Sequence, residues 1–226
     1  MYLTVRVDLD YVPWDMPDAK EFGHGEPAMT ILLLEMARAK GLKLHFFASN
    51  RVLRAFPTAA ESVLNEGHHL DWLCKHPEDF ALRYTEAKKC FSVLGLHPIG
   101  VALRGHYPVL DSAISYPSEL KFLSCAGENP EIGLKHYSVE TRPERDALRA
   151  GQTVRAWSET VRASLREHAS GAGATVVVRP QVLSQVDPRL QHVGDLVDFG
   201  LSLGMKLRTL RERYRSDVEE AEQGSK

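Results

Sequence analysis

Short apolar runs alternate along the chain with longer amphipathic stretches, a pattern that predicts strands joined by helical crossovers into a largely parallel sheet. "YLTVRVD" (2–8) reads as the first strand. A helix follows over "EPAMTILLLEMARAKG" (26–41), with Pro27 suited to a first turn and Gly41 to a stop. "LKLHFFAS" (42–49) is the second strand and "FPTAAESVLNEG" (56–67) the next helix. A third strand runs from His68 to Leu73, and in the helix after it Phe80, Tyr84, Ala87, Phe91 and Leu94 share one face. "IGVALRG" (99–105) is the fourth strand. The pattern then weakens: "LKFLSCA" suits a strand, while "GENPEIG" and "ETRPERD" read as loops. It sharpens again in helix "TVRAWSETVRASLREHAS", strand "ATVVVRP", helix "DPRLQHVGDLVDFGLSLG" and short strand "MKLRTL".

Six or seven strands, each followed by a helix, suit either a nearly closed β/α barrel or an open doubly wound sheet. In both, chemistry gathers beyond the carboxyl ends of the strands. No repeat or linker divides the chain, so one domain over 1–212 is expected, with 213–226 a charged C-terminal tail.

Composition narrows the function. With 226 residues, 43% of them hydrophobic, the chain can bury an ordinary core. A net charge of -2 with interleaved signs offers no basic stripe, so no nucleic acid is expected as a partner. No apolar run reaches a membrane span, and the N-terminus lacks the basic and apolar regions of a secretory signal. No membrane contact and a cytoplasmic location are the expectation. Three widely spaced cysteines, Cys74, Cys90 and Cys125, lack paired zinc or redox spacing.

The strand ends carry the candidate chemistry. Asp8 and Asp10, two residues apart, project to the same face where the first strand ends. One suits a metal ligand and the other a general base. His76 follows the third strand, Arg104 and His106 the fourth, and Arg179 a later one, so two acids, imidazoles and two guanidiniums leave four strands at one rim.

In that order, "VDLDY", "NEGHHL", "GVALRGHYP" and "VVVRPQVLSQVDP" resemble the motifs of the polysaccharide deacetylase (NodB-homology) family over residues 2 to 212. The resemblance implies a distorted, nearly closed β/α barrel and a metal-dependent hydrolase that removes acyl groups from amide nitrogens on sugars. Carried over, it makes Asp8 the base, Asp10 a metal ligand, Arg104 the residue that positions Asp8, and zinc, cobalt or nickel the cofactor.

Two motifs depart from the family pattern. Where the family has His-x-x-x-His, this chain offers Leu73 and Pro77 or, with one deletion, Trp72 and His76. Asp10 and His76 fall one short of the three protein ligands usual for a catalytic zinc, and Cys74 is the nearest thiolate substitute, with Asp71 or His69 as further possibilities. Where the family has Leu-x-His-Pro, with a histidine as proton donor, this chain reads Val177-Val178-Arg179-Pro180. An arginine cannot serve as that acid, but it can bind an oxyanion through paired hydrogen bonds.

Two functions are consistent with these residues. One is weakened or lost hydrolysis of an N-acyl group on a sugar-like small molecule or oligosaccharide, by Asp8, Arg104 and Arg179 around a metal on Asp10, His76 and Cys74. The other is an inactive relative that binds an anionic or carbohydrate ligand as sensor or partner subunit. In either, His106, Tyr107 and Trp72 are the candidate ligand contacts.

Overall fold

The computed structural model describes residues 1–10, 25–75, 77, 80–106, 116–130, 132–171 and 173–224. The elements, in chain order, are β1 Tyr2–Leu9, α1 Gly25–Ala39, β2 His45–Ala48, α2 Asn50–Ala55, α3 Pro57–Asn65, β3 His69–Cys74, α4 Phe80–Val93, β4 Gly100–His106, β5 Phe122–Ala126 and β6 Lys135–Ser138. They continue with α5 Glu144–Arg149, α6 Val154–His168, β7 Gly173–Val178, α7 Pro180–Val186, α8 Gln191–Ser202, β8 Lys206–Leu207 and α9 Leu210–Gly224. All strand pairings are parallel, in the order β6-β5-β4-β3-β2-β1-β7, with β8 beside the first two residues of β1. The result is a nearly closed β/α barrel, the expected fold.

Alternation along the strands builds two cores. On β1, Leu3, Val5, Val7 and Leu9 face outward into the layer between strands and helices, which also holds Trp72, Cys74, Phe91 and Trp157. The opposite faces line the barrel, where Phe47, Leu73, Ala102, Phe122 and Tyr137 form a smaller apolar cluster. Leu210 at the start of α9 joins that cluster. The boundary expected at residue 212 therefore falls inside a helix whose side chains pack on the barrel: Arg213 lies over the Tyr137 ring, and Tyr137 Oη donates to Asp217.

The barrel is open between β6 and β7, which share no strand pairing. Side chains span the gap instead. Glu140 Oε2 accepts from Thr175 N at 3.1 Å, and Thr141 Oγ1 donates to Thr175 O at 2.9 Å. Both residues lie in the connection from β6 to α5, so the seam is closed by the segment that carries α5 to the barrel's upper rim. Among the described residues no helix is long and apolar enough to cross a membrane.

Candidate functional site

Thr4, Arg6, Asp8 and Asp10 share the inward parity of β1, and all four are buried. An unpaired charge at such a position would cost several kcal/mol, so each needs a partner. Arg6 supplies one for Asp8 in a fork, with Nε donating to Oδ1 at 2.7 Å and Nη2 to Oδ2 at 2.9 Å. Its remaining donors reach Ser124 O, Ser124 Oγ and Leu103 O, and its guanidinium lies over the Phe47 ring. Asp8 is thus held by Arg6, where the motif carry-over assigned it to Arg104. Both of its oxygens accept from that guanidinium, which fixes the carboxylate's orientation.

Arg104 pairs instead with Asp10, through Nη2 and Oδ2. On the other side of the same carboxylate, Lys75 Nζ lies 3.2 Å from Oδ1, close enough for a charge contact although it does not make a well-aligned hydrogen bond. Lys75 and Arg104 are partly exposed at the rim, at 23% and 21%, while Asp10 beneath them is fully covered. Gln181 at the start of α7 donates to the Asp10 carbonyl. Arg179, directly after β7, is 2% exposed. Burial lowers the pKa of Arg104 to about 10, and repulsion from Arg179 adds to the effect. Arg179 follows Val178, the register partner of Val7, and so leaves the sheet beside Asp8.

Other expected residues lie elsewhere. Trp72 and Cys74 have the opposite parity on β3 from Asp71 and Leu73 and belong to the outer apolar core, with Trp72 edge-on to Phe80. Cys74 is therefore no ligand partner for Asp10, and Trp72 is packing beneath α4. His76 and Tyr107 lie outside the described residues, and His106 closes β4. Asp71 and His69 do face inward, but at the lower end. Asp71 accepts from Ile99 N, Gly100 N, His45 Nε2 and the fork of Arg211, and His69 bonds Thr209. Burial alone would raise Asp71, yet Arg211 and His45 hold it down at about 2. His45 accepts from Leu210 N through Nδ1.

These positions test the fit of a metal. Among the described residues, no three His, Cys, Asp or Glu side chains gather in a way that would hold one. The carboxylate expected to be the ligand already carries two protein cations, and a divalent ion there would meet both at close range. The described donors do not fit the cofactor.

They fit something else. Buried polar atoms are normally satisfied, and each exception calls for an explanation such as bound water or a ligand. Among the described residues fourteen buried side-chain nitrogen and oxygen atoms lack a hydrogen-bond partner, and seven of them belong to this rim. They are Asp10 Oδ1, Arg104 Nε, Arg179 Nε and Nη1, Gln181 Oε1 and both oxygens of Glu144. Glu144, the first residue of α5, is fully buried, and burial raises its pKa to about 7 despite the opposing pull of Arg179. Its stretch reads as a loop in the sequence, so nothing local signals its burial. Arg6 was detectable, as an arginine two residues before Asp8 in an otherwise apolar strand. Lys75 carries no comparable signal.

By sequence, no family profile and no curated protein matches the chain. Comparison with solved structures does find relatives in shape. A putative polysaccharide deacetylase from Mycobacterium smegmatis superposes with a TM-score of 0.65 at 12% identity, over 97% of this chain and 91% of that one. The barrel is of the deacetylase type. The peptidoglycan deacetylase PdaC from Bacillus subtilis gives 0.59 at 14% identity, over 98% and 95%. A CE4 family pseudoenzyme from Bacillus anthracis gives 0.61 at 10% identity over 94% of this chain, which spans 65% of that protein's length. The structural neighbours thus include both deacetylases and a pseudoenzyme.

Proposed function

We propose that this chain is a non-hydrolytic relative of the deacetylases that binds a small anionic ligand at the upper rim of its barrel. The observation that carries this reading is the state of Asp10, held between Lys75 and Arg104 while Arg179 lies nearby with two unpartnered N–H groups. Four cations, Arg6, Lys75, Arg104 and Arg179, stand against Asp8, Asp10 and a Glu144 whose charge is held near its titration point. That balance favours an anion, and the unpartnered guanidinium donors supply charge-assisted hydrogen bonds to it. The lack of an assembled metal set among the described residues argues against amide hydrolysis. The Bacillus anthracis pseudoenzyme supports the reading by showing that this fold occurs without activity.

Thermal melts of the purified chain with phosphate, sulfate, citrate and N-acetylated amino sugars, with and without zinc, cobalt or nickel, test it. At least one anion should raise the melting temperature without metal, and Arg179→Ala should remove the shift. Metal-dependent amide turnover abolished by Asp10→Ala would replace this reading with the hydrolytic one.

A further inference from the structure

We infer that the ligand of the rim carries two separated phosphoryl groups on a hydroxylated body, and that a basic cavity between α2 and α4 receives the second of them. The inference rests on the anion-binding reading above and names the class of ligand.

The cavity lies where β2 and β3 part. Their register ends at Ala48 against Trp72, after which the chain turns from β2 through Ser49 into α2 while β3 runs on to Cys74. α4 packs beside α2, and Asn50 Nδ2 ties the two helices by donating to Arg83 O at 3.2 Å. Between them is a cavity of about 540 Å³, with the buried Trp72 and Leu73 among its walls. Small-molecule sites span about 300–1,000 Å³, so it can hold part of a metabolite.

Its charge is one-sided. Arg51 and Arg54 line it from α2, Arg83 from α4 and Lys75 from the end of β3, against a single carboxylate among the described residues, Glu86. Glu86 lies 3.4 Å from Arg83 of its own helix. Like charges around one cavity repel, and an anion set among them relieves the repulsion. The described lining has three more cations than acids. A phosphoryl group, with a charge of about -1.5 to -2, answers that excess better than the single charge of a carboxylate. Asn50 also lines the cavity, and its Oδ1 is buried without a hydrogen-bond partner. It supplies an acceptor for a ligand hydroxyl.

Lys75 joins the cavity to the rim. Its Nζ lies 3.2 Å from Asp10 Oδ1, and Arg104 holds Oδ2 of the same carboxylate. One carboxylate thus separates a cation of the cavity from a cation of the rim. A ligand that passes over Asp10 reaches both groups, whereas one oxyanion alone satisfies only one of them.

Isothermal titration of the full chain with inorganic phosphate, fructose 6-phosphate and fructose 1,6-bisphosphate tests the inference. The bisphosphate should bind at least about tenfold more tightly than either other probe, a difference of about 1.4 kcal/mol. A double variant, Arg51→Gln with Arg54→Gln, should bring the bisphosphate within about twofold of fructose 6-phosphate. Both positions are exposed, so its melt without ligand should match that of the wild-type chain. Arg179→Ala should weaken all three probes. Equal affinity of the two sugar phosphates for the wild-type chain, or a bisphosphate preference that survives the double substitution, would overturn the two-headed ligand while leaving the anion reading intact. Binding that depends on Arg51 and Arg54 but not on Arg179 would confine the anion to the cavity and overturn both. If none of the three probes binds, this inference falls, and the anion reading falls with it when the other anions also fail.

Discussion

At the scale of single residues, the alternation in "VRVDLD" was enough to place Asp8 and Asp10 on one face, and it held Arg6 as well. What no alternation can show is which cation meets which acid. Arg6 and Arg104 are both inward guanidiniums, and only the depth of each along the barrel assigns Asp8 to the first and Asp10 to the second. Glu144 was illegible for another reason: its burial comes from the barrel seam, a tertiary feature with no local pattern. That burial has a measurable cost. A carboxyl whose pKa rises from 4.5 to about 7 on folding is better tolerated protonated, so its contribution is fully present below about pH 4.5 and drains away as pH rises through 7. The loss amounts to roughly 3 kcal/mol once the group is ionised in the folded state. Glu144→Gln should therefore raise stability at about pH 8, by up to that amount, and change little at about pH 4. Urea denaturation at both pH values checks it, and a variant destabilised at the higher pH would contradict the unpartnered state of this carboxylate.

At the scale of elements, the strands with continuous apolar burial were legible because a parallel strand covered on both faces must read that way. β6 was not, since only Tyr137 of its four residues is fully covered. α5 was not, since six residues after a proline carry too little period to register. These two elements form one side of the seam, so the sequence leaves unread the part of the barrel that departs from regular closure. The other side begins at Gly173, where β7 lies against the start of β1. Its φ is +113°, and a Cβ there would sit 2.0 Å from the carbonyl oxygen of Tyr2. Backbone cannot yield as a side chain can. Gly173→Ala should cost about 3 kcal/mol or more, from the forbidden conformation and the displaced β1–β7 pairing together. Since β1 carries Asp8 and Asp10 while β7 leads into Arg179, anion-induced stabilisation should weaken in the same variant. Thermal melts with and without phosphate follow both effects, and an unshifted melt would show that the junction relaxes freely.

At the scale of the whole molecule, the barrel has two ends with opposite electrostatic character. The upper rim holds seven of the fourteen unpartnered buried atoms among the described residues, whereas at the lower end Asp71 accepts five hydrogen bonds from four residues. A ligand site can persist at one end because the other is closed by α9, whose residues from 213 onward read from sequence as a charged tail. Leu210 is fully buried in the inner cluster, and Arg211 neutralises Asp71. Removing Leu210 forfeits about 2–5 kcal/mol of packing, and removing Arg211 strands a buried carboxylate at about 3–5 kcal/mol. Together they rival the whole stability of an ordinary domain, about 5–15 kcal/mol. A chain ending after Thr209 should therefore lose cooperative unfolding. One ending after Tyr214 keeps Leu210, Arg211 and Arg213 and gives up the bonds of Asp217 to Tyr137 and Lys135, so it should melt cooperatively with a loss of about 1–3 kcal/mol. Calorimetry of the two truncations separates a plug from a tail. If the shorter chain unfolds in one sharp transition near that of the full protein, the lower end does not hold the barrel shut, and the rim's arrangement must be sustained from the strands alone.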